Sequence, residues 1–410
     1  MELTYSRWAI LNFILLSVFG LLLRYMQVFG LPAANYQFLL HAHSHFAFAG
    51  WMFFSIALLI IQSIFGGSFP STHRKVLLLT QFSAMGMLLT FSFYGYHPVS
   101  ITFSTLFILT GYWFTYLICR RGNLKHKINP TARVLIHGGL FFLCLSSVGP
   151  FALGPLAAAG LKNTELYQDA IYFYLHFQMN GFMLLASLGL FAASSLNRVP
   201  SKTIRTWLSV FIVSIVPLFL IFTLWAEPPA WLWILSFAAT ALHLLSWIKL
   251  CVYYREKWST FPFLIRVALT AISMKTVLQV ALCFPALGNW VFQDRNLIIG
   301  YVHLLTLGCI MPLILDQYIR KAFVEGGRAG AFLNGLFITA VAFYLSALFV
   351  QPLLSSLRIA VPHFQLLLLL ISVLFPVTGI LYFFRVRRAG SPQHVPAAAI
   401  REYDESYADL

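Results

Sequence analysis

Twelve apolar stretches of roughly 20 residues or more dominate this chain, each long enough to cross a hydrocarbon layer about 30 Å thick. They run over approximately 8–29, 38–64, 75–96, 100–119, 133–154, 168–195, 204–225, 229–252, 262–285, 297–316, 332–351 and 361–385. Lipid offers backbone amides no hydrogen-bond partners, so a spanning segment must close its own ladder as a helix. The expectation is an all-α polytopic membrane protein, with twelve transmembrane helices in one domain over residues 1–388. Segments 3 and 4 are parted by the tight turn at His97-Pro98. Segment 1 has no small-residue cleavage site before segment 2 and reads as a permanent helix. Residues 389–410 end in Glu402, Asp404, Glu405 and Asp409 and read as a disordered polar tail.

Composition closes the soluble alternative, because 60% of the 410 residues are hydrophobic and only 10% are charged. The net charge of +15 points first to nucleic acid, but its distribution excludes that partner. Of the 27 lysines and arginines, most lie in alternate loops, including Arg74, Lys75, Arg120, Lys127, Arg133, Lys202, Arg205, Arg255, Lys257, Arg320, Lys321 and Arg385. Arg24, Lys162, Arg295 and Arg358 lie at the other surface. This is the positive-inside pattern, and it places both termini in the cytoplasm of a cell carrying the protein in its inner or plasma membrane. The five cysteines, Cys119, Cys144, Cys251, Cys283 and Cys309, form no CxxC or CxxCH, which argues against zinc ribbons, a disulfide framework and covalent haem attachment.

Histidine is costly inside such segments, and three segments carry it in register. HFAFAGWMFF from His45, HFQMNGFMLL from His176 and HLLTLGCIMP from His303 share H-[FL]-x3-G, with Gly50, Gly181 and Gly308 five residues after the histidine. Successive histidines are 131 and 127 residues apart, with four segments per interval. The pattern predicts a pseudo-threefold arrangement of three four-helix units. A single membrane histidine is often a packing residue bonded to a neighbouring carbonyl, whereas three at one depth point to a functional layer. Imidazole suits iron and copper. Segment 2 carries HAHSH: His43 and His45 point about 200° apart, while His41 shares the face of His45. Such a helix can offer ligands on two sides.

Twelve helices with outer-half histidines on helices 2, 6 and 10 resemble the haem-copper oxidase subunit I superfamily, which includes the nitric oxide reductases. HSHFAFAG also looks like the HxH segment with which that superfamily ligates two haems, and NYQFLLHAHSHFAFAGW and IYFYLHFQMNGF look like an uncharacterised bacterial subunit I-like branch. The resemblance implies a low-spin haem, b-type, clamped by His45 (or His41) and His303, with His176 as a copper ligand and His43 serving a second haem or metal. It implies quinol or a cytochrome as electron donor, and additional membrane subunits. The chain departs from the family at several points. Segment 7 has no histidine, Asn180 stands where a redox tyrosine is usual, and segment 10 has one histidine instead of two. The usual copper site is incomplete, and whether the chain is an oxidase-like enzyme stays open.

Other polar residues lie within the segments. Lys275, with Gln279 one turn on, is a proton-conducting lysine if the resemblance is followed, although in the family that residue lies one helix earlier, or else an ion-paired or carbonyl-capped packing residue. Arg24 is the candidate partner of haem propionates, with Arg295 and Arg358 as interfacial anchors. Gln178 and Asn180 flank His176 as groups that would orient it. Asp316 and Gln317 mark a proton entry or, the preferred reading, an inner helix cap, and His137 and His243 read as structural residues. The leading expectation is a haem-binding membrane oxidoreductase that passes electrons to oxygen, nitric oxide or another acceptor. One alternative keeps metal without haem, with His45, His176 and His303 converging on copper or zinc. Another is a secondary transporter, whose symmetry is normally two-unit or inverted.

Overall fold

The computed structural model describes residues 2–67, 69–122, 124–196, 201–321 and 323–386. The expected tail over 389–410, with His394, lies outside them. Twelve helices are long and apolar enough to span a membrane. They are α1 Leu3–Phe29, α2 Tyr36–Phe65, α3 Ser71–Tyr94, α4 Pro98–Arg120, α5 Pro130–Ala158, α6 Glu165–Ser195, α7 Lys202–Ala226, α8 Ala230–Thr260, α9 Phe263–Ala281, α10 Arg295–Arg320, α11 Gly327–Ser356 and α12 Phe364–Phe384. Among the described residues there is no strand, only an isolated bridge between Val324 and Val386. The chain is an all-α polytopic membrane protein.

Local chemistry sets many of the helix ends. The side chains of Asn35, Thr164 and Asp294 cap the starts of α2, α6 and α10 by accepting from the amides of Phe38, Tyr167, and Asn296 and Leu297. Gly66 and Gly95 end α2 and α3 at φ of 60° and 59°, a backbone region that costs other residues a Cβ clash.

Three helices form the centre. The most apolar windows of α2, α6 and α10 are 83, 89 and 61% buried, against 33 to 44% for the other nine, which face lipid on one side. The C-terminal halves of α2, α6 and α10 pack on one another. Around them α4 packs on α5, α8 on α9 and α12 on α1, closing the ring between the units α1–α4, α5–α8 and α9–α12.

Each central helix also loosens into a seven-residue π-helical segment just after its histidine: Ala47–Phe53, Phe177–Met183 and Leu304–Ile310. A π turn bonds i to i+5 and is rare, so three in equivalent places are a structural repeat in their own right. The glycine of the motif sits inside each of them. A Cβ on Gly50 would come within 2.6 Å of the Phe46 ring, and one on Gly308 within 3.2 Å of Leu304. In these two helices the bulky residue after the histidine therefore folds over the glycine four positions on. In α6 that place is taken by Phe142 of α5, which stacks on Phe177 at 5.4 Å and would meet a Gly181 Cβ at 2.5 Å.

Candidate functional site

The ring of three units has three internal interfaces, and a polar group occupies each. We call them A (between the first and second units), B (second and third) and C (third and first).

Interface C holds His43 and His303. His43 lies against α1, where a Cβ added to Gly20 would approach its ring to 3.1 Å. It is within electrostatic range of His303 and Arg24. The Nδ1 of His303 bonds the carbonyl of Ile299 at 2.8 Å, and its ring lies 5.3 Å from that of Tyr344 on α11. Arg24 donates from Nε and Nη2 to the Tyr344 hydroxyl at 3.1 and 2.6 Å, and from Nη1 to Gln27 at 2.9 Å. The Arg24 side chain is buried, and none of these partners is a carboxylate.

His45 is elsewhere. Its ring stacks on Phe91 of α3 at 4.3 Å and 6°, and its Nε2 meets the Tyr96 hydroxyl at 3.2 Å. His41 lies on the same side, 4.6 Å from the Tyr96 ring. His45 and His41 therefore lie away from His303, and the residue of α2 on the side of His303 and Arg24 is His43. The physical reason is the helix period: two residues along, a side chain turns through about 200°.

Interface A receives His45 together with Tyr174 of α6, whose ring lies 6.0 Å from Phe48. Tyr174 and Gln178 line a small cavity with Phe107, Gly111, Ser146 and Ser147. Gln178 accepts from Ser146 at 2.9 Å, so it faces α5 and not His176, which corrects its expected place. The Tyr96 hydroxyl, in the turn after α3, and His45 Nε2 share one hydrogen bond.

Interface B receives His176. Its Nε2 bonds the carbonyl of Ile215 on α7 at 2.8 Å, and Asn180 lies 3.4 Å from its Nδ1. Phe222 bridges to Tyr301 of α10, with rings 5.1 Å from His176 and 6.0 Å from Tyr301. Gln279 donates to the Tyr301 hydroxyl at 2.8 Å. Lys275 is fully buried, and its Nζ has no hydrogen bond. His243, expected to be structural, stacks on Phe211, bonds Ser214 at 2.8 Å and lies within electrostatic range of Lys275 and His176, its Nε2 unpartnered. Asn180 Oδ1 and Gln279 Oε1 are also buried without partners. Asp316 makes an ion pair with Arg320 at 2.7 Å, one turn on.

A rule relates the three interfaces. In each central helix the aligned histidine and the residue two before it turn to opposite sides: His43 and His45, Tyr174 and His176, Tyr301 and His303. Interface C thus receives His303 and His43, interface B His176 and Tyr301, and interface A His45 and Tyr174. The motif is [HY]-x-H-[FL]-x3-G, and its first position is the signal that the sequence register left unread. Only at interface C are both of its positions histidine.

His45, His176 and His303 do not converge, and among the described residues no group of three or more His, Cys, Asp or Glu is placed to hold a metal ion. The repeat runs three times in one direction, unlike an inverted transporter repeat. No family model matches the chain, and no curated protein matches it.

Proposed function

We propose that the protein is a haem-binding integral membrane oxidoreductase in which His43 and His303 would hold a b-type haem at interface C. One observation carries the reading: of the three symmetric interfaces, this is the one furnished with two imidazoles. The residues fit the group. With its Nδ1 proton directed to Ile299, His303 keeps the Nε2 lone pair free for iron. The Nδ1 of His43 is buried and makes no hydrogen bond. Arg24 is a buried guanidinium with no carboxylate among its partners, and its fork matches a propionate. A bound haem would supply one-electron transfer, and the apolar shell around these helices would tune its potential.

Interface B is the proposed seat of proton handling. Lys275, His243, Asn180 and Gln279 present donors and acceptors that no group among the described residues satisfies, an arrangement that suits ordered water. Lys275 remains the candidate proton carrier. The imidazoles needed for a three-histidine copper centre are not gathered there among the described residues, since His176 Nε2 is held by Ile215 and segment 7 has no histidine. Electrons would come from quinol or a partner cytochrome, and the acceptor would be oxygen, nitric oxide or another redox protein. The basic loops favour both termini in the cytoplasm, in an inner or plasma membrane.

The test is a pyridine haemochrome spectrum of the full chain, purified after haem-replete expression. A b-type signal near one haem per chain is expected; protein without haem overturns the reading.

A further inference from the structure

We propose that His41, His45 and Tyr96 form a binding site for a borderline divalent cation, Zn2+ or Cu2+, at the end of the bundle where the even-numbered helices begin. His41 and His45 are one turn apart on α2, the spacing at which two imidazoles on one helix face take a single metal. Tyr96 adds an oxygen from the turn between α3 and α4. Its ring lies 4.6 Å from that of His41 and 5.9 Å from that of His45, and its hydroxyl is 3.2 Å from His45 Nε2. A hydrogen bond now joins Oη and Nε2 along the line on which a cation would sit between them. The His41 imidazole has no hydrogen bond among the described residues, so its ligand capacity is unspent.

The turn is built to hold this geometry. Gly95 has φ of 59°, and a Cβ there would fall 2.4 Å from the Phe38 ring of α2. Glycine therefore lets the turn lie on α2 and sets Tyr96 over the histidine pair. Phe91 stacks flat on His45 and fixes the orientation of its ring. Tyr96 is 58% exposed, which gives an ion a route from the aqueous phase. Two imidazole nitrogens and a phenol oxygen, with no thiolate and no carboxylate, suit Zn2+ or Cu2+ over Ca2+ or Mg2+. Solvent completes the coordination. The proposal is independent of the haem reading, since His45 and His41 lie away from interface C.

The experiment uses the full chain in detergent after chelator treatment. Zn2+ is titrated by calorimetry, and Cu2+ is followed by absorption for a phenolate-to-copper band. The expected result is one Zn2+ per chain. His41→Gln and His45→Gln should each weaken it by at least about 10-fold, the lower end of what even an outer partner is worth. Tyr96→Phe keeps the ring packing, so it reports the oxygen alone: the charge-transfer band should disappear while haem content stays at the wild-type level. Wild-type Zn2+ affinity in the double His41→Gln, His45→Gln variant overturns the proposal. So does loss of haem in soluble, monodisperse His45→Gln, which would give His45 to the haem instead.

Discussion

At the residue scale, the decisive difference is between two histidines two positions apart on one helix. His43 meets α1 and the charge of Arg24, while His45 meets Phe91 and Tyr96, and the chemistry available to each follows from that turn. Arg24 extends the argument. Arg24→Ala leaves Tyr344 without its two donors and the proposed propionates without their cation, so haem should be retained but bound at least about 10-fold more weakly, a loss of about 1.4 kcal/mol; competition with apomyoglobin measures it. Lys275 carries a different prediction. A buried group without partners costs about 1–3 kcal/mol, so Lys275→Met should leave stability unchanged or raise it by about that amount, while slowing any proton-coupled turnover. Thermal melts in detergent check this. A clear drop in the midpoint would show that Lys275 is a paired structural residue instead.

At the element scale, the three π segments explain a motif that sequence alone could register but not interpret. The glycine of H-[FL]-x3-G is there for packing: it admits an aromatic or leucine side chain, and it says nothing by itself about ligation. Gly181→Ala must push its Cβ against Phe142 at 2.5 Å, an overpacking that should cost about 1–3 kcal/mol. Gly335→Ala in α11 has nothing within 4 Å and should cost nothing. Equal melting shifts for the two would contradict this account of the π segments. The helices themselves were legible because lipid forces a helix on any apolar stretch of that length. The π turns were not, because they change one hydrogen bond per turn without altering hydropathy. Tyr96 and Tyr344 were missed for a related reason: each belongs to its site through a neighbouring helix or turn, and aromatic residues are too common here, at 17%, to single out.

At the scale of the whole molecule, threefold repetition makes three comparable interfaces, and substitution at one position per unit makes them chemically different. The histidine register was readable as a period, but which interface each side chain enters depends on how the units close into a ring. Charge placement predicts the orientation of that ring. With exposed Cys119 and Cys251 replaced, Lys162→Cys should react with an impermeant maleimide in intact cells and Ser201→Cys only after lysis; the opposite pattern would invert the topology. The central claim is that interface C holds the haem through His43 and His303. It is tested most directly by the visible spectra of the His43→Ala, His45→Ala and His303→Ala proteins, purified as full chains. The account predicts that the low-spin haem bands are lost in the His43 and His303 variants and retained in the His45 variant. Loss with His45→Ala and retention with His43→Ala would contradict it.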